Sequence, residues 1–408
     1  MRHRLPWFDW RAACLVAALV AGCQTVPPAP PVRPTPAPPS PPAVTRAQFT
    51  QVEWSALPGW RDDPMAAAWP AFVVGCRALL ARPAAQSIWQ APCIASTTVD
   101  GTNTASVRAF FEAHFSPYRI AADGNDVGLV TGYYEPLLAG SRTPTPEYPI
   151  ALYGAPDDLL VVDLADLYPE LKDKRVRGRL QGRKVVPYWS RAELERNPDL
   201  LTGKALAYVA DPVEAFFLEI QGSGRVALKD GSVMRLGYAD QNGHPYRSVA
   251  RVLIDRGELT RDTASMQAIS NWVKAHPDQA RALLDENPSY VFFRELPRAA
   301  PGSLEAAIDG PFGSLGVPLV AERTIAVDAR FVPLGAPVYL VTTQPTSNAT
   351  IARLTLAQDT GGAIRGPVRA DFFWGFGTQA GREAGRMRQD GRMWLLWPKG
   401  AALPDVNK

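Results

Sequence analysis

Residues 356–376 read LAQDTGGAIRGPVRADFFWGF, and this stretch constrains the fold more than any other. Residues 354–356 and 372–374 are runs of β-type side chains, so Asp359 falls at the end of one strand and Asp371 at the start of the next. Gly361, Gly362 and Gly366 let the loop between them turn tightly and leave room for a ligand beside its backbone. A third aspartate, Asp328, lies upstream in the strand-like run TIAVDARFVPLGAPVYLV. The setting predicts strands that present carboxylates at their ends.

DTGGAIRG with the ADFFWGFG that follows and the VDARFVPLG upstream resembles the three-aspartate barrel domain of the membrane-bound lytic murein transglycosylase A family. The resemblance continues in GYYEP (132–136), FFLEIQGSG (216–224) and LGYADQNGHPYRS (236–248), in the same order over roughly residues 125–400. It implies a mainly β chain with some α: a double-psi β-barrel domain, a second β-rich domain inserted in it, and a groove between them. In those terms residues 47–140 and 306–408 form the barrel domain with N-terminal helices, and residues 141–305 the insert. The implied activity is that of a lytic transglycosylase, which cleaves the MurNAc–GlcNAc β-1,4 bond of peptidoglycan and leaves 1,6-anhydromuramic ends.

That chemistry selects among the carboxylates. Cleaving a glycosidic bond needs an acid to protonate the leaving oxygen, and a hydrolase needs a second carboxylate roughly 5 to 9.5 Å away. A lytic transglycosylase needs only one, because the deprotonated acid can take the proton from the C6 hydroxyl of the same muramic residue and close the anhydro ring without water. Such an acid starts protonated near neutral pH, so its pKa must be raised. Asp371 fits: Phe372, Phe373 and Trp374 follow and desolvate it, and it matches the third aspartate of the resembled motif. Asp359 then borders the cleft and orients Asp371 or the sugar, while Asp328 supports the loop. Arg369-Ala370 precedes the acid where related barrels often carry His-Phe, and the Arg369 charge pulls against desolvation. Two alternatives stay open: a hydrolase using Asp371 and Asp359 as acid and base, and a peptidoglycan-binding lipoprotein without catalysis.

Thr131, Tyr133, Tyr134 and Glu135 lie on the β-run VGLVTGYYEPLLAGSR, whose alternation turns one tyrosine inward and one outward. Flat rings suit the C–H faces of a pyranose, although core tyrosines fit the composition equally well. The resemblance assigns these residues to the substrate groove. Residues 215–220 read as a strand ending at Gln221-Gly222-Ser223-Gly224. Ser223 is no nucleophile in this reading, since a β-run follows rather than a helix. Gln221 and Ser223 are instead expected to donate hydrogen bonds to sugar hydroxyl or N-acetyl groups, with a plain hairpin turn as the alternative. A helix is expected from the acidic cap at residues 62–63 onward, interrupted by Pro70, and others at 106–115, 247–255, 264–275 and after Pro277. His114 sits on an apolar helical stripe and reads as a core residue.

The N-terminus reads as an address. Arg2, Arg4 and Arg11 accompany an apolar run at 12–21, too short to span a bilayer as a mature helix. It ends in LVAGC, so residues 1–22 are expected to be a lipoprotein signal peptide and Cys23 the lipid-bearing residue, an ordinary signal peptide cut nearby being the alternative. Gln24 after the cysteine, by resemblance to sorted lipoproteins, points to the periplasmic face of the outer membrane. Residues 23–46 form a lipid-anchored linker, of which 27–44 (PPAPPVRPTPAPPSPPAV) reaches roughly 50 Å as an extended spacer at ~3.1 Å per residue. Cys76 and Cys93 remain, either bridged or as two buried thiols. No metal-ligand spacing and no cofactor motif is found. A net charge of +3 without a basic cluster argues against nucleic acid. The expected partners are peptidoglycan glycan strands, the outer membrane through the lipid, and proteins of cell-wall synthesis or division.

Overall fold

A computed structural model describes residues 46–405 apart from 172, 173, 175, 262 and 348 and the side chain of residue 170. The leader, Cys23 and the proline-rich spacer lie outside the described residues.

Strand β1 (Ala47–Gln51) leads into helices α1 (Trp69–Leu80), α2 (Pro83–Ala95) and α3 (Thr104–His114). Pro70 opens α1 rather than interrupting it, since the first turn of a helix loses nothing with a missing N–H. Asp63 is no helix cap either. It is buried and accepts bonds from Arg323 Nη1 at 2.7 and 3.0 Å and from the Leu354 N–H at 2.7 Å, which ties this segment to the strands 260 residues later. Nothing in the local pattern announces α2. It starts at Pro83 and is stapled to α1 by a Cys76–Cys93 disulfide, so the two cysteines are bridged. His114 packs beside the Phe110 ring, 4.9 Å between centroids. Strands β2 (Phe115–Ala122) and β3 (Gly128–Glu135) follow.

Beyond Pro136 the chain enters a second sheet. It contains β4 (Leu137–Ser141) and β5 (Ile150–Tyr153), then detours through a small sheet of β6 (Leu160–Val161), β7 (Arg177–Gln181) and β8 (Lys184–Pro187). Helix α4 (Arg191–Arg196), β9 (Ala205–Val209), helix α5 (Pro212–Gln221) and the hairpin β10 (Ser223–Leu228) and β11 (Val233–Gln241) come next. Helices α6 (Val249–Asp255), α7 (Met266–Ala275) and α8 (Pro277–Asp285) precede the last strand of this sheet, β12 (Val291–Glu295).

Residues 215–220 are therefore helical, not the expected strand. Asp211 caps α5 by accepting from the Val213 N–H at 2.7 Å, Pro212 occupies its first turn, and Gly222 ends it at φ 77°. The helix is wedged between two cores: Ala215 and Leu218 pack on the second sheet, whereas Val213 and Phe216 pack on α6, α7 and α8. Burial on both faces erases the amphipathic period, and that is why FFLEI imitates a strand.

Helix α9 (Leu304–Ile308) leads back to β13 (Thr324–Val327), β14 (Pro337–Thr343), β15 (Thr350–Asp359) and β16 (Arg369–Phe376). Helix α10 (Gly377–Arg386) and β17 (Arg388–Pro398) complete the described chain. The strand order is β1-β2-β17-β14-β15-β13-β16-β3, and β3 pairs back onto β17. Six strands thus close into a ring without a free edge, built from segments at both ends of the sequence. The fold is mainly β with some α, as expected, and the second sheet enters the chain between β3 and β13.

Candidate active site

Strand register assembles the site. In the order β15-β13-β16-β3, Ala326 is the partner of both Asp359 and Asp371, and Asp371 is the partner of Thr131. Residues opposite one another across neighbouring strands share a face, so these four form a row on one side of the sheet. With strands ~4.8 Å apart, the two aspartate backbones stand roughly 10 Å apart with a small alanine between them. On β16, Ala370, Phe372 and Trp374 join the main core, while Asp371 and Phe373 take the other face. There Tyr133, Leu319, Ala326, Ile364 and Phe373 make a small apolar bed. Asp359 reaches this face through a bulge: the register with β13 jumps past Gln358, whose side chain turns into the core to bond the Ala71 carbonyl at 2.6 Å.

The two carboxyls are held differently. Asp359 accepts from the Ser314 N–H at 2.9 Å, the Ser314 hydroxyl at 2.8 Å, the Thr360 N–H at 2.9 Å and the Tyr133 hydroxyl at 3.1 Å. Asp371 accepts from the Thr131 hydroxyl at 2.6 Å, and that hydroxyl in turn accepts from Arg369 Nη2 at 2.9 Å. Burial raises the pKa of both. For Asp371 it prevails over the Thr131 bond and the Arg369 cation, with a small further push from Asp359, and lifts the group to about 6. For Asp359 burial is again the largest influence, opposed by its donors. The Tyr133 hydroxyl is pushed far above its usual range by burial and by the two neighbouring carboxyls, so it stays a donor.

Asp328 closes β13 at 2% exposure. Arg330 donates to both of its oxygens at 2.9 and 2.6 Å, and the Gly366 N–H donates at 2.8 Å. Burial alone would raise its pKa, but these bonds outweigh it and leave the carboxyl below the ordinary range. It anchors the glycine loop between β15 and β16 through the Gly366 N–H.

Two residues expected in the groove stand outside this row of four. Glu135 is fully buried and receives Arg225 Nε at 2.8 Å, an ion pair that joins the end of β3 to the second sheet. Tyr134, one residue out of step with Tyr133, takes the opposite face of β3 from the acids and packs against Gly381 of α10, its hydroxyl 3.8 Å from the Met266 sulfur. Gln221 ends α5 and accepts the Tyr134 N–H at 3.2 Å, while Ser223 opens β10 opposite Gly237, so neither sits in a hairpin turn. Sequence reasoning missed Ser314 and Ala326. A serine inside PFGSLG resembles any loop residue, and its contact with Asp359 spans 45 positions.

Residues 129–294 match the family model of the MltA specific insert domain, and residues 323–397 that of the 3D domain. Over 273 residues the chain is 35% identical to the membrane-bound lytic murein transglycosylase A of Escherichia coli (strain K12), covering 65% of this chain and 64% of that protein. The chain thus spans a little under two thirds of that curated relative. Among solved structures, MltA from Neisseria gonorrhoeae has a TM-score of 0.76 at 36% identity, covering 91% of this chain and 98% of that one. E. coli MltA with bound chitohexaose has a TM-score of 0.61 at 27% identity, covering 86% and 94%. By its two matched domains and by its fold, the chain belongs to the membrane-bound lytic murein transglycosylase A (MltA) family.

Proposed function

We propose that the protein is a lytic transglycosylase that cleaves the MurNAc–GlcNAc β-1,4 bond of peptidoglycan, with Asp371 as its acid and then its base. The observation that carries this is the asymmetry in how the two buried acids are held: four donors fix Asp359, whereas Asp371 accepts a single hydroxyl and burial lifts its pKa to about 6. Pairs of carboxyls whose surroundings differ in this way divide into acid and orienting group. Protonated Asp371 gives its proton to the glycosidic oxygen, and the bond to C1 of the muramic residue breaks. The carboxylate then takes the C6 hydroxyl proton as O6 closes on C1, which restores the acid and leaves a 1,6-anhydro end. Asp359 orients the row through its bonds to Ser314, Thr360 and Tyr133, an arrangement that favours this role over a water-activating base.

The names of the relatives and the chitohexaose bound by one of them support a glycan strand as substrate. In this reading residues 47–140 with 306–408 carry the acid row, and residues 141–305 supply the opposing wall. Incubation with purified murein and mass analysis of the product ends tests it. Anhydro ends are expected, reducing ends would establish the hydrolase, and an absence of cleavage would leave a binding protein. Among the described residues no helix is long and apolar enough to cross a membrane. We infer a lipid on Cys23 at the periplasmic face of the outer membrane. Cys23→Ser should release an active protein from the membrane fraction, and its retention there would refute the anchor.

A further inference from the structure

Of the two tyrosines expected in the groove, Tyr134 takes the face of β3 opposite to Asp371, yet the acid's face does carry an exposed aromatic ring. We propose that Phe376 is a glycan-stacking subsite, a platform for the apolar face of an N-acetylhexosamine two to three rings from the cleaved bond. The inference rests on the reading of Asp371 as the acid of a glycan-cleaving site.

Local geometry sets Phe376 apart from an ordinary surface phenylalanine. Strand β16 pairs with β3 in regular register from Arg369 opposite Leu129 to Phe373 opposite Tyr133, then jumps so that Phe376 lies opposite Glu135. In a regular strand, position 376 would share the core face of Phe372 and Trp374. The extra residue, with Gly375 at φ 99°, returns Phe376 to the face of Asp371, Phe373 and Tyr133. Phe372 and Phe373 are at most 2% exposed, whereas Phe376 is 54% exposed. Burial therefore does not explain why an aromatic ring stands there.

The ring is also fixed. The Arg225 guanidinium lies 4.2 Å from its centroid and covers one face. Arg225 itself is pinned by Glu135 Oε2 at 2.8 Å and Asp309 Oδ2 at 2.9 Å, so it bridges the end of β3, the second sheet and the segment that returns to β13. Phe376 thus sits at the corner where the two sheets meet, and its mean exposure leaves the remaining surface to solvent. A strand rise of ~3.3 Å per residue places it about 15 Å along β16 from Asp371, roughly the length of two to three linked pyranose rings. Stacking there holds the strand in register while the acid works on a more distant bond.

The test compares three variants of the full-length protein, Phe376→Ala, Phe376→Leu and Phe376→Trp, by calorimetric titration with chitohexaose, alongside thermal unfolding. The alanine and leucine variants should bind about three- to tenfold more weakly than the unsubstituted protein, and the tryptophan variant within about twofold of it. Leucine keeps apolar area without a flat face, so the leucine and tryptophan pair decides the matter even if the alanine variant folds poorly. Leucine binding as tightly as phenylalanine, or tryptophan binding as weakly as alanine, would overturn the subsite. Failure of the parent reading looks different: the unsubstituted protein would yield no anhydro ends from murein.

Discussion

Replacing Asp371 with asparagine should end catalysis and, at neutral pH, stabilise the fold. Burial lifts the carboxyl from 3.8 to about 6. Above that pH the folded protein carries a charge that the unfolded chain carries more easily. The shift of about 2 pK units, at about 1.4 kcal/mol each, amounts to ~3 kcal/mol. Between the two values the folded state binds the extra proton, so the favourable contribution is complete below the unfolded pKa and disappears as pH rises through 6. Asparagine carries no charge, and its side-chain carbonyl can still accept the Thr131 hydroxyl, so it escapes that loss. Urea unfolding at pH 7.5 should show the variant more stable by up to ~3 kcal/mol, with the difference shrinking below ~1 kcal/mol near pH 4. Cleavage of murein should fall by at least ~10². Equal stabilities at pH 7.5, or an asparagine variant weaker at both pH values, would show that Asp371 is not desolvated and would remove the ground for calling it the acid.

Arg369→Gln removes both the cation and the donor to Thr131, so the Asp371 pKa should rise and the alkaline limb of the pH–rate profile should move upward. Arg369→Lys should restore most of the original limb, and a downward movement in the glutamine variant would contradict the assignment. Ser314→Ala deletes one of the four donors to Asp359 and should lower kcat by roughly tenfold with little change in KM, checked by turnover on glycan strands. An unchanged kcat would make Asp359 a bystander. Cys76→Ser opens a loop of 17 residues and should lower stability by ~3 kcal/mol, read from urea midpoints with and without reductant. A reductant effect persisting in the variant would point to another thiol.

The site strand is legible in the sequence because both of its faces are written there: Ala370, Phe372 and Trp374 alternate with Asp371 and Phe373, and DTGGAIRG marks the preceding loop. Helix α5 is not, since both of its faces are buried and only Asp211, Pro212 and Gly222 signal its ends. Alternation separates Tyr133 from Tyr134, yet the face that holds the acid depends on a pairing between residues 240 apart in the chain. The positions of Asp359 and Phe376 depend on bulges, which shift one residue and leave no local trace beyond a glycine. The Cys76–Cys93 bridge is decided by how α1 lies along α2, which spacing alone does not specify.

Ring closure has a consequence for the birth of the protein. Strand β17 pairs with β2, β3 and β14, so in a chain delivered N-terminus first β1 and β2 can pair early, but the ring cannot close until residues 388–398 have arrived. Thr131 waits through 240 residues for Asp371. The pair of Asp371 and Thr131 therefore assembles late, a delay set by topology. The same delay leaves the edges of β2 and β3 open to foreign strands, and pairings this distant form slowly. The half-made chain depends on its surroundings for protection of those edges.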